Sequence, residues 1–265
     1  MLNKPPVKTL QINGVTFDCI DIHKQPAFDH PLLINHTIQM RPSSFSEEKN
    51  HRSTSSNSLL EKELQNEECP PGTVIIRRTK KEDLINAKHF FSKVIKVTSI
   101  PPKDDIQDTS PQLGQSHYAG YIAHGKFHGA KGNAAVYGFP GLLSSQVSSV
   151  YVIVSNGLND ALNAAQAGWS VNPSLYGDDR THLNILWTTD GYNKKGCFDL
   201  TCPGFVQVHK STTPGFVFPR LSTYNGVQYE VPLSISKDQQ SGNWWLMIGP
   251  NKTPIGSSNG KWSFR

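Results

Sequence analysis

Between Ala165 and Phe205 turn residues and aromatics recur at close offsets, and no other stretch limits the fold of this chain as tightly. It holds Gly168-Trp169, Asn172-Pro173, Tyr176-Gly177-Asp178-Asp179, Trp187-Thr188-Thr189-Asp190-Gly191-Tyr192 and the pair Cys197 and Cys202. Such offsets place tight corners between aromatic-packed strands, so the segment predicts an all-β domain. Aromatic residues beside polar turns also suit a groove that grips an extended chain. Trp169, Trp187, Tyr192 and, further on, Trp244 are the candidate groove residues. Core packing is the competing role for each, and Trp244 and Trp245 must face opposite sides of their sheet.

The rest of the sequence extends this pattern. From His117 onward, Tyr151–Val154 reads as a short buried strand. His182–Thr188, Phe205–His209 and Gly226–Val231 alternate apolar and polar residues, and Asn243–Ile248 is a strong strand. Short strands with turn residues between them predict an antiparallel β-sandwich over residues 117–265. Before it, Phe17–Ile22 and Thr73–Arg78 read as strands of a smaller β-rich unit over residues 8–96. A short helix is predicted to start at Lys80, with Thr79 as N-cap and Glu82 completing a capping box. Within that unit, Ser43 to Glu68 is too polar to bury much area and reads as a mobile loop, with a helical turn possible at Leu59–Leu64. Residues 97–116 hold Pro101, Pro102, Pro111 and Gly114 and read as a linker.

Composition removes several classes of function. With 265 residues, a net charge of +5 and 18% charged residues, the chain is mildly basic and shows no nucleic-acid signature. No apolar run approaches the roughly 18 residues of a membrane helix. His124 and His128 have helical spacing, but Gly125 and Gly129 argue against a helix there, so no metal site is expected. No cofactor is expected, and no Gly-x-Ser-x-Gly elbow is present. Cys19 and Cys69 bracket the mobile loop; if bonded, they stabilise by a few kcal/mol in the chain-entropy model. For Cys197 and Cys202 a disulfide is favoured over a metal site or free thiols. Asn35-His36-Thr37 and Asn251-Lys252-Thr253 are glycosylation acceptors that, like paired cysteines, suit a secretory route. Met1–Lys8 has no signal-peptide core, so the expectation is a secreted protein whose leader is not in this sequence. A cytosolic chain with reduced thiols is the alternative.

The segment Gly168-Trp169-Ser170-Val171-Asn172-Pro173-Ser174-Leu175-Tyr176-Gly177-Asp178 resembles the central signature of the neprosin family, secreted plant glutamic peptidases that cleave after proline. Trp187–Tyr192, the cysteine loop and Ser241-Gly242-Asn243-Trp244-Trp245-Leu246 follow in the family's order. Lys24–Leu33, Asn35–Ser43 and Cys69–Thr79 resemble the family's activation peptide. The resemblance implies a β-sandwich with a concave face, an intramolecular propeptide that covers the cleft, and an activating cut in the linker. It also implies a proline-containing peptide or protein as substrate. Two glutamates carry the family's chemistry: a carboxylate takes a proton from water, and its partner orients the water or stabilises the oxyanion. The position matching the first is Gln166, whose amide cannot take that proton. The second lies beyond the Trp-Trp motif and has no match before Arg265, so the last strands of the sandwich are expected to be missing. Glu230, the one glutamate after residue 116, reads as part of a solvated strand face. A catalytically impaired peptidase-type proprotein is therefore expected. A secreted, non-enzymatic binder of proline-rich or cell-wall chains is the alternative. A chain too incomplete to fold stably is a third possibility.

Overall fold

The computed structural model describes residues 4–43, 68–94 and 117–258. The expected mobile loop falls outside them except at its ends, as do the linker at 97–116 and the tail from residue 259. Twelve strands lie among the described residues, in three antiparallel sheets, and the chain is all-β.

The first sheet is a three-stranded meander of β1 (Lys8–Ile12), β2 (Val15–Asp21) and β3 (Thr73–Arg77). Ile12 pairs with Val15, leaving Asn13 (φ 50°) and Gly14 (φ 74°) as a two-residue turn. Positive φ at both central positions is the type I′ geometry that matches strand twist, and Asn-Gly adopts it at least cost. Cys19 and Cys69 are disulfide-bonded with a Cα separation of 5.4 Å. Helix α1 (Lys81–Val94) follows and is longer than expected. Its start also differs: Asp83, not Glu82, caps it, accepting the Lys80 N–H at 2.7 Å. Asp83 also takes the Arg77 guanidinium at 3.2 Å, and that second contact places the helix start one residue later than Thr79 would.

The other two sheets pack face to face. One has the order β4 (Gly129–Ala135), β10 (Glu230–Lys237), β11 (Trp244–Ile248), β12 (Thr253–Ser258) and β9 (Phe205–Gln207). The other has the order β5 (Ser148–Asn156), β6 (Asn163–Val171), β7 (Thr181–Thr188) and β8 (Gly196–Phe198). Ala167, Trp169, Val171, Leu183 and Ile185 meet Ala134, Val231, Leu233, Ile235, Trp244 and Leu246 between them. The same core continues into Phe17, Ile20, Val74 and Ile75, so the first sheet shares it. Residues 253–258 form a strand between β11 and β9, where no further strand was expected. Pro254 sits beside a bulge in that strand, where a missing N–H costs little.

Two further elements differ from expectation. Tyr151–Val154 is not buried: it lies in β5, the outermost strand of its sheet, where Val150 and Ile153 are exposed. The alternating run Gly226–Val231 is a turn rather than a strand until Glu230. Asn225 at φ 55° and the Gly226 N–H to Thr223 carbonyl bond hold it as a turn.

Candidate functional site

Gln166 is at the middle of β6, and strand alternation divides its neighbours between two faces. In register, Gln166 lies between Ile153 of β5 and Leu186 of β7, and Leu186 pairs with Phe198. This row is on the outer face of the sheet. Trp169 is an odd number of residues away and points into the core, where it is 2% exposed and donates its ring N–H to the Ala135 carbonyl at 2.9 Å. Trp187 pairs with Ala165 and Cys197 and is half-buried on the core side. Trp244 is 6% exposed within the core between the sheets. Of the four candidate groove residues, Tyr192 alone meets Gln166: the Gln166 Nε2 donates to the Tyr192 hydroxyl at 2.7 Å.

The loop between β7 and β8 puts Tyr192 there. Thr188 Oγ1 accepts the Tyr192 N–H at 2.7 Å, and the Asp190 carboxylate accepts the N–H groups of Lys194 and Lys195. These bonds fold the loop back and hold Tyr192 at φ 66°, a conformation that costs a bulky residue free energy and persists only when its surroundings impose it. Burial raises the Tyr192 hydroxyl's pKa, with the neighbouring Tyr151 adding to it, so the phenol that accepts the Gln166 amide stays neutral.

A second polar group lies one row away. Gly168 separates Tyr151 from Asn184 on the outer face. A Cβ there would come within 1.7 Å of the Val150 carbonyl oxygen, so only glycine permits the strands to approach this closely. Tyr151 reaches past Gly168 and donates to Asn184 Oδ1 at 2.6 Å. Asn184 Nδ2 donates to the Tyr176 hydroxyl at 2.7 Å and to Asp199 Oδ1 at 3.0 Å. Tyr176 in turn donates to Asp199 Oδ2 at 2.8 Å. Burial pushes the Asp199 carboxyl up to about 6, against the stabilising bonds from the Ile185 N–H and Tyr176. His182 stacks on Tyr176 at 3.8 Å and bonds Asp178 at 2.8 Å. Burial alone would raise the pKa of Asp178, but the bonds from His182 and Arg180 outweigh it and hold this carboxyl below the usual range. Asp178 thus both accepts the Arg180 N–H within its turn, at 3.0 Å, and serves as an ion-pair partner. The Tyr151–Asn184–Tyr176–Asp199 network was not foreseen. Its members span four separate elements, and only Tyr176 and Asp199 fell within the aromatic and turn motifs.

Helix α1 covers this face. Asp83, Ala87, Phe90 and Phe91 share one side of it, and the three apolar residues pack with Leu175, Tyr176, Leu186, Phe198 and Tyr151. The Phe91 ring stacks on Tyr192 at 5.7 Å between centroids. Arg77 lies over the Tyr176 ring at 5.8 Å. Further along the N-terminal region, Gln25 bonds both main-chain groups of Gln207 on β9. Gln39 and Ser43 donate to Asp238, and the guanidinium of Arg180 reaches the Asn13 carbonyl.

The remaining candidates are apart from this face. Glu230 begins β10 in the other sheet, exposed, with Asn133 Nδ2 at 3.4 Å. Cys197 and Cys202 are disulfide-bonded, with a Cα separation of 6.1 Å. Asn35 and Asn251 are exposed. His124 and His128 lie in an exposed, irregular segment, and no cluster of three metal-ligating side chains occurs among the described residues. No helix among them is long and apolar enough to cross a membrane.

Two family models match the chain. One, described as neprosin, matches residues 144–259, from just before β5 through β12. The other, described as neprosin activation peptide, matches residues 10–121, which include β2, β3 and α1.

Proposed function

The chain belongs to the neprosin family, and from that premise we propose that it is a secreted glutamic-peptidase-type proprotein whose site holds proline-containing peptides but is impaired in cutting them. The activation peptide is an intramolecular propeptide. On this reading residues 8–96 form the activation domain, residues 97–116 carry the activating cut, and residues 117–265 form the catalytic domain. Asn35 and Asn251 are its glycosylation sites.

The single observation that carries the proposal is the contact of Gln166. At the position of the first family glutamate, an amide donates to a neutral phenol, and no carboxylate bonds to it among the described residues. Acyl transfer to water needs a base that accepts the water's proton as the oxygen attacks. A glutamine can hold that water, or donate to the scissile carbonyl, but has no site of sufficient basicity. Asp199 does not replace it, because its oxygens are taken by Asn184, Tyr176 and the Ile185 N–H. The face would therefore bind a peptide and orient water without completing the reaction. Helix α1, through Phe91 on Tyr192, would keep this face closed in the latent form.

The test is incubation of the native chain, nicked between residues 97 and 116 and freed of its N-terminal fragment, at acid pH with a proline-containing peptide, beside a Gln166→Glu variant treated the same way. The expected result is peptide binding without cleavage by the native chain. Post-proline cleavage by the native chain would sink the proposal. A second reading, a dedicated non-enzymatic binder, is favoured by the same amide. It is distinguished by a Gln166→Glu variant that binds peptide as the native chain does and still fails to cut.

A further inference from the structure

Strand β5 runs for nine residues and pairs with β6 alone. Among the described residues, no other element makes a main-chain hydrogen bond to Ser148–Ser155. An open edge is a template for pairing with another chain, and proteins shield such edges with charges, prolines, bulges or covering segments. The edge of β9 is shielded in this way, because the Gln25 amide occupies both main-chain groups of Gln207. Among the described residues, none covers the edge of β5 in this way. Ser148-Ser149-Val150-Tyr151-Val152-Ile153-Val154-Ser155-Asn156 contains no charge, proline or glycine, and its register with β6 is unbroken. Val150 is 41% and Ile153 50% exposed.

The order of these side chains nearly repeats in reverse about Val152. When this strand meets an antiparallel copy of itself with Val152 on a two-fold axis, Val150 faces Val154, Tyr151 faces Ile153 and Ser149 faces Ser155. Apolar and hydroxyl–hydroxyl pairs are favourable cross-strand neighbours, and no like charges meet. A two-fold interface requires such self-complementarity, because each surface must fit itself. An asymmetric peptide partner would place no such demand on the strand. We propose that β5 is a homodimer interface, in which two copies pair edge to edge and join their two four-stranded sheets into one continuous sheet.

Alternation excludes a slip of one residue, which would turn every side chain to the wrong face, and the matching of Val150 with Val154 and Ser149 with Ser155 selects Val152 as the centre. Ser149 and Ser155 are exposed and can be replaced without disturbing the core. In sedimentation equilibrium the native full-length chain is expected to dimerise. The Ser149→Lys/Ser155→Lys variant sets like charges opposite each other in both symmetric pairs, and should raise the dimer dissociation constant at least about tenfold. Ser149→Lys/Ser155→Glu sets opposite charges there and should restore dimerisation. For the register, Ser149→Cys and Ser155→Cys chains should each fail to cross-link alone on mild oxidation, and should cross-link when mixed.

A native chain that sediments as a monomer at its highest soluble concentration overturns the proposal. So does a dimer that the double-lysine variant leaves intact, or cross-linking of either single-cysteine chain to itself. A photo-cross-linker on the position-149 thiol that maps to its own chain, or to an added extended peptide, assigns the edge another occupant and equally refutes it.

Discussion

Replacing Phe91 by alanine tests whether α1 is the closure of the Gln166 face. The ring is half-buried, stacks on Tyr192 and packs beside Leu186 and Phe198. A fully buried Phe→Ala change costs about 3–5 kcal/mol, and roughly half of that applies to a ring with one side in water. The stacked pair itself accounts for about 0.5–1.5 kcal/mol of the loss. Together these give about 2 kcal/mol, and with a tenfold change per 1.4 kcal/mol the open population rises about 30-fold. The core shared by the first sheet and the sandwich does not include Phe91, so the loss should fall on the helix and not on the whole molecule. Native-state hydrogen exchange reads this directly. Amides of residues 84–91 should exchange about 30-fold faster in the variant, while those of β10 and β11 change far less. Unchanged exchange in α1 would show that Phe91 does not hold the helix. Equal acceleration in α1 and β11 would show that the helix opens only with global unfolding, and the closure argument would fail.

Further outcomes follow from the titrating groups and from Gly168. Burial raises the Asp199 carboxyl to about 6 from an unfolded value of about 3.9, so stability from this group is full below the lower value and is lost as pH climbs through the upper one. Thermal unfolding of Asp199→Asn should lack that slope, and equal pH slopes in the two proteins would refute the assignment. Asp238 has the opposite sign: burial works against it, but bonds from Ser241, Gln39 and Ser43 hold its carboxyl below the usual range. Its contribution is present above the unfolded value and lost only as pH falls beneath it. Asp238→Asn should therefore speed exchange of the Ser43 amide at neutral pH, whereas the native chain should stay protected at pH 5. Gly168→Ala forces β5 away from β6 and should cost about 3 kcal/mol, seen as a lowered urea midpoint; an unchanged midpoint would contradict the strand spacing described.

Strand existence was legible where an apolar or alternating run met a ladder, on both sides in β2, β7 and β11 and on one side in β3 and β9. The Asn13-Gly14 pair is a strong hairpin signal, yet the strands it joins include Lys8–Ile12, whose apolar residues are too few to stand out. Burial was less legible than strand character. Tyr151–Val154 has the composition of an interior strand, and only sheet order makes it an edge. Pro232 would argue against a central strand, but the β10–β11 ladder starts only at Leu233, and at Pro232 it is the carbonyl that is used, accepting the Gly249 N–H at 2.9 Å, so no donor is needed from proline. At the candidate site, motifs pointed to Gln166 and Tyr192. They could not show that Trp169 and Trp187 turn inward, because that depends on counting parity along strands whose ends were not yet fixed. Nor could they reveal that Asp199 bonds Asn184 and Tyr176, a meeting produced by sheet register.

The continuity of the core across the first sheet and the sandwich bears on what a protease cut can do. Cys19 and Cys69 both precede residue 95, and Cys197 and Cys202 both follow residue 116. A nick between those limits would sever the last covalent link between the two pieces without loosening their grip. The freed fragment would then remain a tight, reversible cover over the Gln166 face. Its departure rate, more than the cleavage, would set the moment at which the exposed face meets a peptide.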